Sequence, residues 1–142
     1  MTAPGVTRLT NQDEILLRQV HPSWLVDGAP TKAAFNPTPK DDKKLSTLRE
    51  GVGAEGAYRR WTVNLERASV GTYGIAVAEV DATTFERASD QVAVGLLAVD
   101  DAAARGVPDH ASVIFTDLSK EQRVQAARKL RQHAVARGCL HP

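Results

Sequence analysis

The chain has 142 residues, of which 42% are hydrophobic and 25% charged, and its 18 basic and 17 acidic residues give a formal net charge of +1. This length and composition are typical of one globular domain that builds its core without a metal or a disulfide. The near-zero charge argues against general binding to nucleic acid or to a membrane surface. The single cysteine, Cys139, excludes an intrachain disulfide.

The chain carries no apolar run of bilayer-spanning length, and its N-terminus lacks the apolar stretch of a signal peptide. We therefore expect a cytoplasmic protein with no membrane association.

The first third of the chain is predicted to contain one strand and a long loop. Residues 1–13 are polar and lack periodicity, which predicts a mobile arm. Residues 15–20 are mostly apolar and are followed by His21 and Pro22, which predicts a strand that stops there. Residues 27–44 contain too many prolines, glycines and charges for a helix or a central strand, so we expect a surface loop anchored in the core by Phe35.

The middle of the chain alternates between helical and extended patterns. Apolar or small residues at helical spacing predict a helix over 54–68, and the alternation of large and small residues predicts a strand over 73–80 that includes Glu79. Thr83 and Glu86 resemble a capping box, which predicts a short helix over 84–90. Residues 92–99 fit either a buried strand or a continuation of that helix.

The end of the chain gives the clearest pattern. Residues 111–115 predict a strand, and Ser119 with Gln122 forms a capping box that opens a helix over 120–137, which Gly138 closes. Together these elements predict an α+β fold over residues 14–142, with a small sheet of about four strands and two main helices packed on one side of it.

Candidate site residues lie at the ends of predicted strands, where sheets often place reactive groups. His21 and His110 each adjoin a strand end, and Arg18, Ser46 and Arg49 are their polar companions. We expect these five side chains to line any pocket that exists. The simpler interpretation is that each imidazole satisfies backbone groups of its turn.

Several kinds of site are not supported by the sequence. Cys139 and His141 supply two ligands at most, so we expect no metal. The G-x-G-x-x-G string at residues 51–56 follows no predicted strand, so its glycines are interpreted as a turn into the next helix, and no cofactor is expected. The chain has no G-x-S-x-G motif, and this favours a non-enzymatic role.

Short motifs recur in an order that resembles a known group of proteins. They are R-x-V-H-P at residues 18–22, A-F-x-P-x-P-K-D at 34–41, L-S at 45–46, P-D-H-A at 108–111 and R-G-C-L at 137–140. This set resembles a family of small bacterial proteins for which no activity is established. The resemblance therefore implies no catalytic role.

Three functions remain as hypotheses. The first is a binding or accessory module that acts with another protein, since the long loop would present Trp24, Phe35 and charged residues to a partner. The second is a small nucleotide-using transferase that resembles ADP-ribosyltransferases in broad layout, with Arg18, His21, Ser46 and Glu79 as its polar residues. The third, less favoured, is nucleic-acid binding through the basic last helix, whose basic side chains do not form one clean face.

Overall fold

The computed structural model describes residues 4–37 and 43–142. Their strands are Thr7–Arg8 (β1), Ile15–Gln19 (β2), Leu25–Val26 (β3), Ala29–Pro30 (β4), Lys44–Leu48 (β5), Thr72–Ala76 (β6), Thr84–Glu86 (β7), Ala93–Gly95 (β8), Leu97–Asp100 (β9) and His110–Ile114 (β10). Their α-helices are Ala54–Arg59 (α1), Val77–Asp81 (α2), Ala102–Arg105 (α3) and Lys120–Arg137 (α4). Short 3₁₀ turns cover Pro22–Trp24, Lys32–Phe35 and Glu50–Val52, and a π-helical turn covers Arg60–Asn64.

Six of these strands form one antiparallel sheet in the order β1-β9-β10-β5-β2-β6. The β3–β4 and β7–β8 pairs form separate hairpins. Neighbours β10 and β5 are paired along five positions, from His110 opposite Leu48 to Ile114 opposite Lys44. Strands β2 and β5, by contrast, share a single paired position, at Leu17 and Leu48. The sheet therefore opens between β5 and β2, and the cleft forms at this opening.

Helix α4 covers one face of the sheet and α1 covers the other. The α4 face holds the hydrophobic core, to which α4 contributes Ala127, Leu130 and Ala134, all fully buried. Successive strand residues point to opposite faces, so Leu17 and Leu48 lie away from this core and pack with Ala57 of α1 instead. The α+β class is thus confirmed, but the expectation of helices on one side is wrong.

The predicted number of elements is also wrong, because the sheet has six strands where about four were expected and four α-helices are present where two main ones were expected. The additional strands and helices are two to five residues long, which is too short to show a periodicity in the sequence. The long elements agree better. The strands at 15–20 and 111–115 are found within one residue of those limits, and α4 has the predicted bounds with Ser119 and Gln122 as its capping box.

Glu79 lies in a helix, which corrects the prediction of a strand over 73–80. Strand β6 ends at Ala76 and α2 begins at Val77. The Glu79 carboxylate accepts a hydrogen bond from the Ala76 N–H at 2.8 Å, satisfying a donor that the first turn of a helix leaves open. This local capping ends the extended segment, although the alternation of large and small residues continues through it.

Residues 84–86 and 93–95 form strands and residues 87–92 connect them, so the short helix predicted over 84–90 is wrong. Strand β7 pairs with β8. The backbone of Gly95 lies close to Thr83, and only a glycine fits there, because a Cβ would stand 2.8 Å from the Thr83 carbonyl oxygen. The prediction of a strand over 92–99 is confirmed, but the extended segment is divided into two strands, because Leu96 separates β8 from β9. The helical alternative for these residues is excluded.

Part of the predicted mobile arm belongs to the sheet. Strand β1 pairs with β9, with Thr7 opposite Asp100, and the following Leu9 is only 5% exposed. Residues 7–9 of the predicted arm therefore contact the sheet, and its first three residues lie outside those the structure describes. The arm gives β9 a partner on its outer edge, which an unpaired edge strand would lack.

The segment between β2 and β5 follows the sequence more closely. Phe35 is fully buried against the core, as predicted, although residues 38–42 of the expected loop lie outside the described ranges. The first two glycines of residues 51–56 form a turn into the next helix, as predicted. Gly51 lies in a 3₁₀ turn, and Gly53, with φ of 79°, leads into α1.

Candidate functional site

A cleft of about 90 Å³ opens on the α1 face of the sheet, where β2 and β5 diverge. Twelve residues from β2, β5, α1, the π-helical turn and the β10 end of the sheet surround it. Three of the five predicted site residues, Arg18, Ser46 and His110, are among them. They come from three different strands, so the fold brings together side chains that are up to 92 positions apart in sequence (110 − 18).

Ser46, His110 and Asp101 form a continuous chain of hydrogen bonds at the cleft. The Ser46 Oγ lies 2.7 Å from Nε2 of His110, and Nδ1 of the same imidazole lies 2.6 Å from Oδ1 of Asp101. His110 and Asp101 are each 5% exposed, whereas Ser46 is half-buried and borders the cleft. The Ser46 hydroxyl, at one end of this chain of hydrogen bonds, is therefore the group that a small molecule in the cleft reaches.

The carboxylate determines which nitrogen of His110 carries the proton. An ionised carboxylate only accepts hydrogen bonds, so Nδ1 of His110 must donate to Asp101. In the neutral imidazole Nε2 then has a free lone pair, and the Ser46 hydroxyl donates to it. This is the arrangement in which a histidine acts as general base toward a serine hydroxyl.

Asp101 is held in its ionised form by its partners. Burial opposes the charge, but hydrogen bonds from Ser112 and His110 and the nearby charge of Arg105 outweigh burial, so the pKa of Asp101 is lowered. Ser112 Oγ donates to Oδ2 at 2.6 Å, and Arg105 Nε donates to the same oxygen at 3.0 Å. Both carboxylate oxygens are thus fixed, and with them the orientation of the imidazole.

The strand register explains why these side chains meet. Ser46 lies directly opposite Ser112, and His110 precedes Ser112 by two positions on the same face, so it is the diagonal neighbour of Ser46. Asp109, just before His110, has a φ of 62°, a left-handed conformation that aspartate tolerates better than most residues. Asp101 follows the end of β9, beside the start of β10.

Arg18 joins the two strands that diverge. Its Nε donates to the Ala34 carbonyl at 2.9 Å and its Nη1 donates to the Ser46 carbonyl at 3.0 Å. The guanidinium also lies over the Trp24 ring, with Cζ 5.1 Å from the ring centroid. Arg18 therefore fixes the backbone that carries Ser46, and its side chain is buried while doing so.

The other wall of the cleft comes from a distorted helix. The predicted helix over 54–68 is regular only to Arg59, after which Leu65 N–H bonds to the Arg60 carbonyl five residues earlier, the pattern of a π-helical turn. Such turns occur often at functional sites. Here the turn directs Arg60, Trp61 and Leu65 to the cleft.

Two predicted site residues lie elsewhere. His21 is exposed, and its Nδ1 accepts the Ser23 N–H at 3.0 Å, so it satisfies its own turn as the simpler interpretation expected. Arg49 lines a separate hollow with Glu14, to which it makes two hydrogen bonds of 2.9 and 2.7 Å, and its Nη1 also donates to Asp100. Both residues are therefore corrections to the predicted pocket.

We expect the Arg49 and Glu14 pair to make stability depend on acid pH. The hydrogen bond from Arg49 lowers the pKa of Glu14, burial opposes this, and the Arg49 charge adds to the lowering. A lowered folded-state pKa means that the stabilisation is complete above the unfolded-state value of about 4.3 and is lost as the pH falls through the folded-state value. Glu14→Gln should therefore flatten the acid side of a plot of unfolding free energy against pH. A Glu55→Gln control, at an exposed ion pair, should keep the acid slope of the unsubstituted protein. If Glu14→Gln also keeps that slope, the assignment to Glu14 is contradicted.

Glu79 is also remote from the cleft. Its carboxylate pairs with the Arg137 guanidinium, with distances of 3.0 and 2.9 Å, and approaches His133 at 3.2 Å. Burial raises the pKa of Glu79, but Arg137, the Ala76 N–H and the His133 charge outweigh burial and lower it overall. This carboxylate joins α4 to α2.

Sequence reasoning missed Asp101, Ser112, Arg60 and Trp61. Asp101 follows another aspartate at the end of a predicted strand, the kind of position that drew attention to His21 and His110, so this signal was present. The others carry no local signal. Among the described residues, no group of three or more histidine, cysteine or acidic side chains has the arrangement of a metal site.

Comparisons with protein-family models, with curated proteins and with solved structures find no match. In the described ranges, no helix combines the length and the apolar character that crossing a membrane requires.

Proposed function

We propose that the cleft is the active site of an enzyme that transfers or hydrolyses acyl groups, with Ser46 as nucleophile, His110 as general base and Asp101 as the residue that orients His110. The observation that carries the proposal is the chain of hydrogen bonds at 2.7 and 2.6 Å that joins the three side chains. The same constellation occurs on unrelated folds, so it is recognised by geometry rather than by a sequence motif. The lack of a G-x-S-x-G motif does not speak against it.

The reaction divides into two steps. Ser46 Oγ attacks the carbonyl carbon of an ester while its proton passes to Nε2 of His110; the ester C–O bond then breaks, and the leaving oxygen takes that proton. The product is an ester of Ser46. Water next gives its proton to Nε2 and attacks the acyl carbon, Ser46 regains the proton, and the carboxylic acid leaves.

The surroundings of Ser46 support this chemistry. The Ser46 hydroxyl already donates to Nε2 of His110 at 2.7 Å, so its proton is directed at the base that would take it. Asp101, ionised behind the imidazole, stabilises the imidazolium that forms when His110 accepts a proton. The apolar residues of the cleft lower its local dielectric, which strengthens both interactions.

Covalent labelling with an alkyl fluorophosphonate tests the proposal directly. We expect the reagent to add one phosphonyl group, which peptide mass spectrometry places on Ser46, because only a hydroxyl activated by a base displaces the fluoride readily. Ser46→Ala should abolish the label and His110→Gln should slow its addition at least about a hundredfold, the lower range for general-base catalysis.

Ser23→Ala is the matched control, because this exposed serine also bonds to a histidine, His21, at 2.7 Å, but no carboxylate among the described residues bonds to that histidine. It should label as fast as the unsubstituted protein. A label that persists in Ser46→Ala, or a rate that does not change in His110→Gln, would refute the proposed nucleophile.

A nucleotide-using transferase is a second candidate for the same cleft. It is favoured by the meeting of Arg18 and Ser46 with His110, whose Nε2 would accept the proton of an incoming hydroxyl. Two residues predicted for it, His21 and Glu79, are not in the cleft, which leaves it without the carboxylate from Glu79. Calorimetric titration with NAD decides this candidate: heat of binding that is lost in Arg18→Met supports it, and no heat removes it.

The other two sequence-based hypotheses stay predictions. A protein partner for a binding module would be found by co-purification from the native host. Nucleic-acid binding through α4 is weakened because its Arg123 and Arg131 donate to the carbonyls of Leu118 and Pro30, and Arg137 pairs with Glu79. These cations hold the fold together.

A further inference from the structure

The polar side chains that line the cleft already have partners within the protein. Gln19 donates to Thr72 Oγ1 and accepts from Ser69 Oγ, both at 2.8 Å. Thr47 Oγ1 donates to the Ala111 carbonyl at 2.9 Å, and Arg60 donates to the Pro108 carbonyl at 2.6 Å. A substrate that enters the cleft therefore meets the reactive pair of Ser46 and His110 and, for the rest, mainly apolar surface.

That apolar surface comes from both walls. Half of the twelve lining residues are apolar, namely Leu17, Leu48, Ala57, Trp61, Leu65 and Val107. Leu65 is 51% exposed and Val107 is 38% exposed, although both are large hydrophobic residues. Apolar side chains exposed side by side at the mouth of a cleft indicate a surface that a ligand covers.

Trp61 makes two contacts that hold its ring in this wall. Its indole Nε1 donates to the Ala68 carbonyl at 2.9 Å, and the Arg67 guanidinium lies over the ring, 4.8 Å from the centroid. The ring is thus held in place before any ligand arrives, which reduces the entropy that binding would lose.

From these observations we infer that Trp61 of the π-helical turn and Leu65, the residue that follows this turn, select an uncharged acyl group with a short alkyl chain. This inference rests on the proposed function for its reaction, but it concerns a binding surface that is also measured without catalysis. A cleft of about 90 Å³ admits several water-sized groups, which suits a chain of a few carbons. A charged or sugar-like group would lose its hydration without gaining partners.

The first test is a comparison of p-nitrophenyl acetate, butyrate and octanoate as substrates. We expect kcat/KM to be highest for the butyrate, and Trp61→Ala and Leu65→Ala to lower it about tenfold for that ester, in line with the value of one or two methylenes in an apolar pocket. For the acetate, whose acyl chain is two carbons shorter, the same variants should lower kcat/KM less than they do for the butyrate. Val63→Ala is the matched control, because Val63 belongs to the same turn and is 60% exposed but does not line the cleft.

The second test measures binding alone. Ser46→Ala protein is titrated with butanamide and with sodium butyrate, and the change in tryptophan fluorescence is followed in a Trp24→Phe background so that Trp61 gives the signal. Butanamide should give a saturable change and butyrate should bind at least about tenfold more weakly, because its charge finds no partner in the cleft.

The two tests separate the inference from the function on which it rests. Butanamide binding without hydrolysis of any ester would overturn the proposed acyl transfer and uphold the apolar site. Hydrolysis that depends on Ser46 but responds equally to Trp61→Ala for acetate and butyrate would overturn the apolar selection alone. Neither binding nor hydrolysis would overturn both.

Discussion

Asp101→Asn is expected to lower kcat for a short-chain ester by about 10⁴-fold, the size of effect seen when the carboxylate of such a triad is replaced by an amide. The reason lies in the donors around Oδ2. Ser112 Oγ and Arg105 Nε both donate to that oxygen, so the asparagine amide must place its carbonyl oxygen there and its NH₂ group toward His110. The imidazole then has to accept at Nδ1 and carry its proton on Nε2, where it can no longer take the Ser46 proton.

The measurement is steady-state hydrolysis, combined with ¹⁵N NMR of the His110 imidazole. The spectrum should show the proton on Nδ1 in the original protein and on Nε2 in Asp101→Asn. Asp100→Asn is the control, because the neighbouring carboxylate bonds to Arg49 and to the Ala102 N–H but not to His110. If Asp101→Asn keeps more than about a tenth of the activity, or if the tautomer does not change, His110 is not oriented by Asp101.

The candidate site shows which part of an active site a sequence can reveal. Arg18 and His110 were predicted because each lies near the end of a predicted strand, where sheets expose polar groups, and Ser46 was predicted because it follows the long loop. His21 satisfied the same criterion and is not in the cleft, since Pro22 turns the chain into a 3₁₀ turn that leads it away. The criterion finds candidates, but it does not say which of them face each other.

Whether these side chains meet depends on the register between paired strands, and no local sequence pattern specifies that register. His110 meets Ser46 because β10 pairs with β5 so that Ser112 stands opposite Ser46. A slip of one residue would turn His110 to the opposite face. Asp101 enters only because β9 pairs on the other side of β10. The sequence therefore gives no reason to assign the orienting carboxylate to Asp101 rather than to its neighbour Asp100.

The fold shows the same division between local and long-range information. Helix α4 was predicted with its bounds because a capping box, a helical repeat and a terminal glycine all act within the helix itself. Residues 77–80 were assigned wrongly to a strand because the Glu79 carboxylate, which caps α2 and pairs with Arg137 from α4, is fixed by a residue 58 positions away. Tertiary contacts decide such short segments against their own pattern.

We expect Phe35→Ala to lower the free energy of unfolding by about 3–5 kcal/mol, because it removes a fully buried aromatic side chain and leaves a cavity in the core. For a chain of this size the midpoint of thermal unfolding should fall by roughly 10 °C or more. Phe35→Leu, which keeps most of the apolar contact, should cost less than about half as much. Val26→Ala is the control, since Val26 is 61% exposed on the nearby β3–β4 hairpin.

The effect should extend to the cleft, because the same 3₁₀ turn supports Arg18. Ala34 precedes Phe35, and its carbonyl accepts the Arg18 Nε–H, while the other end of that guanidinium holds the Ser46 carbonyl. Loosening the turn therefore weakens the anchorage of Arg18, which holds the Ser46 carbonyl. At temperatures where Phe35→Ala is still folded, phosphonate labelling of Ser46 should be slower than in Phe35→Leu. Equal labelling rates in the two variants would show that the core anchor and the cleft are independent, and an unfolding midpoint equal to that of Val26→Ala would show that Phe35 is not an anchor at all.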